Sequence, residues 1–241
     1  MTENQGGDSP GGSIWTRPER QSRGPVPEHS RAEIAAVGVA LADASGLGAV
    51  TMRSVAAAIG TGPASLYRYV GNRAELVELM ADQARGELAY DQAASGEPTA
   101  RLLAIARQGH ALYLRHPWLL EVPATPIPGP NALAFVEQCL AVLADVGLSG
   151  PVKLETIGLF SGAVRLTAQT EIEQRQAGQD TAQWQGELAG YLAGIVAAGH
   201  HPYLAAALAD PAAADVRHQP GDLFERAMTR ILAGLLPRAN S

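Results

Sequence analysis

Between Thr51 and Val70 the chain reads TMRSVAAAIGTGPASLYRYV, and this stretch limits the possible folds more than any other. Met52, Val55, Ala56 and Ile59 recur at helical spacing, with Thr51 standing where an N-cap belongs. Gly60-Thr61-Gly62 breaks the pattern. Pro63 then suits the first position of another helix, because its missing N–H would have no partner there. Leu66 and Val70 are four residues apart and share a face that a core must take, whereas Ala64, Ser65 and Arg68 share a different one. Tyr67 and Tyr69 flank the core face, so their rings can pack while their hydroxyls reach outward. A short helix, a glycine-bearing turn and a second short helix have the proportions of a helix-turn-helix. In that motif the second helix enters the DNA major groove. On spacing alone, the same pattern also suits ordinary packing inside any helical protein.

The rest of the chain is helical in pattern. Ser30 and Glu33 form a capping-box pair, and Ile34, Val37, Gly38 and Leu41 follow at helical spacing. Gly71-Asn72 ends the third helix, and Asn72 caps a fourth from Arg73 to Ala89. Further helices read at 98–115, 130–146, 151–176, 181–198 and 222–236, divided by turn-rich breaks such as TPIPGP, GLSGP and GHHPY. No alternation is long enough for a strand, and alanine is abundant, so the fold class is all-α. The division expected is an arm over 1–29, a three-helix DNA-binding domain over 30–75, and a larger helical domain over 76–241.

Residues 1–29 read as disordered, being polar, Gly-rich and broken by Pro18, Pro25 and Pro27. Arg17, Arg20 and Arg23, with Trp15, make this either a basic arm that touches phosphates or a solvated tail diluted by Glu19 and Glu28. A formal net charge of −6 argues against coating nucleic acid through bulk charge, yet leaves room for a local DNA-reading face. Cys139 is the sole cysteine, which excludes an internal disulfide and a cysteine-based zinc site. There is no signal-peptide pattern and no apolar run of membrane-spanning length, so a cytoplasmic protein is expected.

The segment VTMRSVAAAIGTGPASLYRYVGNRAELVELMAD at 50–82 resembles the TetR family of bacterial repressors, and ALADASGLGAVTMRSVA at 40–56 is similar to that family's lead-in. HPWL at 116–119 resembles the tetracycline-repressor-like C-terminal group. The resemblance implies a homodimeric transcriptional regulator, usually a repressor, that binds a palindromic double-stranded operator and is released by a small molecule. By matched position it implies phosphate and some base contacts at Thr51 and Arg53. It places Gly62, Pro63, Ala64 and Ser65 at the recognition-helix start, Tyr67 and Tyr69 on the DNA backbone, Arg68 toward bases and Arg73 on a phosphate. Residues 61–64 are small here, which leaves Arg53 and Arg68 as the main direct readers and favours guanine in the half-site.

The expected ligand-binding groups are His110, Tyr113, Trp118, Phe135, Arg165, Gln169 and Thr170, as large or polar side chains among small ones. Low aromatic content and few buried charges favour an apolar or weakly polar effector. Gly158, Ser161, Gly162 and Arg165 form a narrow small-residue strip, and Leu223, Ala227, Ile231 and Leu235 belong to a wide apolar stripe. Together they are expected to build a four-helix dimer contact. No catalytic residue, metal site or cofactor is expected: GTGPAS lacks a preceding strand, and His200-His201, His110/His116 and Glu171/Glu173 are poorly spaced for ligation. Two other readings stand beside the regulator: a helical protein-interaction module without DNA binding, and an enzyme of unknown reaction.

Overall fold

The computed structural model describes residues 13–17, 28–90, 96–123, 127–176, 181–210 and 223–237, and every regular element among them is helical. The N-terminal part holds α1 (Arg31–Ser45), α2 (Met52–Ala58), α3 (Pro63–Leu66) and α4 (Arg73–Arg85). The remainder holds α5 (Pro98–Arg115), α6 (Pro130–Val142), α7 (Gly150–Gln176), α8 (Thr181–Ala197), α9 (Pro202–Ala209) and α10 (Leu223–Leu235).

Local chemistry fixes the helix starts. Ser30 and Glu33 close a full capping box on α1, Thr51 and Ser54 close another on α2, and the Asn72 side chain accepts from the Glu75 amide at 2.9 Å. Proline opens α3, α5, α6 and α9. Gly60 adopts φ 76° in the turn between α2 and α3, a backbone state that a side chain would strain.

Two cores result. The first gathers Ile34, Val50, Val55, Leu66, Val70, Leu76 and Met80. The second joins Leu102 and Ile105 of α5, Cys139 and Val142 of α6, Phe160 and Val164 of α7, and Phe224, Met228 and Leu232 of α10. Cys139 is fully buried, and burial pushes its thiol up to about 12.

Several sequence expectations change here. Ser13–Arg17, expected within a disordered arm, forms a turn that buries Ile14 completely in the first core. Arg20 and Arg23 lie outside the described residues. α3 ends at Leu66, and the chain then tightens: the Arg68 amide donates to the Ser65 carbonyl at 3.1 Å and the Tyr69 amide to that of Leu66 at 2.9 Å. α4 stops at Arg85, four residues early, and α6 at Val142. A helix at Pro202–Ala209 was not foreseen. The division expected after residue 75 cuts α4 within its first turn, yet Leu76, Val77, Met80 and Ala84 beyond it bury in the first core. No helix among the described residues is long and apolar enough to cross a membrane.

Candidate nucleic-acid interface and internal cavity

α2 and α3 present the expected two-faced arrangement. Leu66 and Val70 are completely buried, while Pro63, Ala64, Tyr67 and Arg68 are exposed and Ser65 and Tyr69 are half-buried. Tyr67 leaves 52% of its surface open, whereas Tyr69 packs against the core. Thr51, Arg53 and Gly62 are also exposed. The Arg68 guanidinium donates to the Ser65 hydroxyl at 2.6 Å, which holds the arginine along its own helix face. Thr51, Arg53, Gly62, Pro63 and Ala64 stand at the starts of the two short helices, and Tyr67, Arg68 and Tyr69 follow directly on the end of α3.

Arg73, expected on a phosphate, is tied to backbone carbonyls of its own chain. Its Nε donates to the Val50 carbonyl and its Nη2 to the Leu47 carbonyl, each at 2.7 Å. Those two carbonyls lie at the entry to α2, so Arg73 braces the start of the helix-turn-helix from α4. No local pattern marks this role, because the partners are backbone atoms more than twenty residues away.

A cavity of about 640 Å³ lies between α4 and the second part of the molecule. Its walls include Trp15, Glu78 and Arg85 on one side and Tyr113, Phe135, Phe160 and Arg165 on the other. Of the seven expected ligand groups, Tyr113, Phe135 and Arg165 line it. The other four are engaged elsewhere. His110 stacks on Phe224 with ring centroids 4.3 Å apart, and the Glu171 carboxylate lies 3.3 Å from its Nε2 without hydrogen-bond geometry. Burial lowers the His110 pKa, against the pull of Glu171. Trp118 donates to Asp43 at 2.7 Å, Gln169 donates to Glu173 at 2.9 Å, and the Thr170 hydroxyl donates to the Leu166 carbonyl at 3.0 Å.

Sequence reasoning missed Trp15, Glu78, Asp82 and Arg85. Burial and nearby Glu75 raise the Glu78 pKa, and a hydrogen bond from Trp15 opposes them. Asp82 caps α6 from another helix: its carboxylate accepts from the Asn131 amide at 3.2 Å and the Ala132 amide at 3.0 Å. Gly129 permits this seat, since a Cβ there would overlap the Asp82 carboxylate and come within 2.7 Å of the Trp15 ring. Arg165 donates to the carbonyls of Leu119 and Leu120. Asp82 and Arg165 are thus spent on backbone groups, and the cavity keeps a mostly apolar, aromatic lining.

The expected dimer strip divides. Ser161 and Arg165 face the cavity, so they leave the outer strip. Gly158 and Gly162 are exposed, beside Leu159 (61% exposed) and Leu166 (63%). On α10, Leu223 is exposed and Ala227, Ile231 and Leu235 are half-buried, flanking the buried Phe224, Met228 and Leu232.

Comparison with known proteins agrees with this architecture. Residues 34–80 match the model for bacterial regulatory proteins of the tetR family, and residues 92–238 match the tetracyclin repressor-like C-terminal domain. The chain is 36% identical over 230 residues to the HTH-type transcriptional repressor DrrR1 of Streptomyces coeruleorubidus, covering 92% of this chain and 83% of that protein. It is similar to the TetR family protein ActR of Streptomyces coelicolor, solved in complex with actinorhodin: TM-score 0.70, 28% identity, 89% of this chain and 100% of that chain covered. Apo ActR gives a TM-score of 0.66 at 29% identity, with 86% and 98% covered. A helix-turn-helix with an exposed reading face, an all-helical second part around a cavity, and these matches lead to one statement: the chain belongs to the TetR family of DNA-binding transcriptional regulators.

Proposed function

We propose that the protein is a homodimeric repressor that holds a near-palindromic operator and leaves it when a small molecule fills the cavity. The observation that carries this is the double role of α4. Its Leu76, Val77 and Met80 belong to the core beneath the helix-turn-helix, and its Glu78 and Arg85 belong to the cavity wall. A ligand that fits the cavity in only one placement of α4 shifts the population of DNA-competent dimers. ActR, solved both without ligand and with actinorhodin, supports a small-molecule effector. The lining here suits an aromatic, weakly polar molecule, held by Tyr113, Phe135 and Phe160 and oriented by Glu78 and Arg85.

On the DNA side, Arg53 and Arg68 are the proposed base readers, and Thr51, Tyr67, Tyr69 and the amides of Gly62 and Ala64 hold phosphates. The open apolar face of α7 around Gly158 and Gly162, with Leu223, Ala227, Ile231 and Leu235 of α10, is the proposed dimer contact. Random-site selection followed by gel shift should recover a two-fold symmetric site. Thermal-shift screening should then find compounds that raise stability and release that site. Failure to select any DNA sequence would remove the operator reading, and stabilising compounds that leave DNA affinity untouched would remove the release.

A further inference from the structure

Ser13–Arg17 form a turn whose ends meet two different parts of the molecule. The amides of Thr16 and Arg17 donate to the Ser13 carbonyl at 3.0 and 3.3 Å, and Ile14 plugs the first core. Trp15 stands in the cavity wall with Glu78, its ring against Gly129. At the other end Arg17 pairs with Glu75, and the same Glu75 oxygen accepts the Gly71 amide at 2.8 Å. Arg31 clamps the turn: its Nη1 donates to the carbonyls of Ile14 (3.1 Å) and Arg17 (3.2 Å), and its Nε to the carbonyl of Tyr69 (3.2 Å). Tyr69 and Gly71 are where the chain leaves the DNA-reading element. Five residues therefore connect the cavity wall to that exit.

We infer that Trp15 is an effector-contacting residue, and that the Ser13–Arg17 turn carries cavity occupancy to the exit of the reading element through Arg17–Glu75. The inference rests on the cavity being the effector site. The physical reason is differential contact. A ligand touches the Trp15 ring only while the turn is docked, so its binding favours the docked turn. The docked turn supplies Arg17 to Glu75, and Glu75 holds the Gly71 amide. Occupancy thus tightens the backbone at 69–76 by a route that needs no displacement of α4.

Hydrogen exchange on the full-length protein tests this, with the dye anilinonaphthalene sulfonate as an aromatic occupant of the cavity. In the wild-type chain, saturating dye should slow exchange about tenfold in segments 13–17 and 69–76. Arg17→Gln touches no cavity wall. It should keep dye affinity within about twofold and protection at 13–17, yet lose protection at 69–76. Trp15→Ala should weaken the dye about fivefold or more and lose protection at both segments, and Trp15→Phe should restore part of each. Protection at 69–76 that persists in Arg17→Gln, or is missing in the wild type, overturns the route. Should Trp15→Ala not fold, the Arg17→Gln comparison decides alone. Phe135→Ala separates the two readings. Dye weakened by Phe135→Ala but not by Trp15→Ala keeps the cavity and overturns the role of Trp15. Dye indifferent to both substitutions overturns the cavity reading and the inference together.

Discussion

His116 Nδ1 lies 2.7 Å from the Asp43 carboxylate, and this pair bolts the end of α5 to α1. The same carboxylate oxygen accepts from Trp118 at 2.7 Å, while His116 Nε2 sits 3.1 Å from Glu87. His116 and Trp118 are almost wholly buried, so Asp43 is the partner of two groups that have no access to water. Asp43→Ala should destabilise the protein by about 1–3 kcal/mol, the usual cost of a buried donor left without a partner. Urea unfolding monitored by circular dichroism measures it, and an unchanged midpoint would deny the pair that role.

On the reading face, Tyr67→Phe and Arg53→Ala should weaken operator binding while leaving the melting temperature within a degree or two, because both side chains are exposed. Binding should fall steeply with added salt as phosphate contacts release counterions. Arg73→Ala should behave differently. It frees the Val50 and Leu47 carbonyls and should lower stability by about 1 kcal/mol. Loss of DNA affinity in Arg73→Ala without any loss of stability would return that residue to the phosphate contact expected from its position.

His110 sets a pH dependence. Burial lowers its folded-state pKa below 6.5, so the unfolded chain binds the proton more readily. Stability is therefore present above pH 6.5 and lost as pH falls below that value toward the folded pKa. Thermal melts between pH 7.5 and 5.5 should show the decline, and His110→Gln should flatten it. The groups that face His110 are Phe224, Glu171, Arg175, Glu225 and the Thr167 backbone, and among them the carboxylates and Thr167 act to soften the effect. A decline of equal slope in His110→Gln would assign the pH dependence to other groups.

The exposed leucines of α7 predict assembly. Leu159→Glu with Leu166→Glu puts four like charges into a two-fold contact, so the mass by light scattering should halve and operator affinity should collapse with it. A wild-type chain that is monomeric at micromolar concentration would refute the dimer.

Much of this was legible from local chemistry. The Ser30, Thr51 and Asn72 caps, the Pro63 start and the Leu66/Val70 face depend on residues close in sequence, and each appears where the pattern puts it. What escaped were contacts between distant segments. Trp15 reads as part of a polar tail until Ile14 beside it finds a core. Asp82 carries no local mark of its role, because the first turn of α6 that sits on it comes 49 residues later. His110 and Trp118 suggest a ligand by size and polarity, but His110 packs on Phe224 and Trp118 donates to Asp43. Periodicity reports which face a residue takes; it carries no record of the partner on that face.

Cys139 offers an experimental opening. Its thiol is sealed in the second core and held in the unreactive protonated form at working pH. The chain is thus chemically silent toward maleimides and methanethiosulfonates in its folded state. A cysteine introduced at exposed Ala64 would carry the reactive thiol of the reading face, with no need to remove the native one. In a two-fold dimer the label appears twice, once on each recognition helix. The spacing between those helices, which an operator must match, then becomes a distance readable by spin–spin coupling in solution.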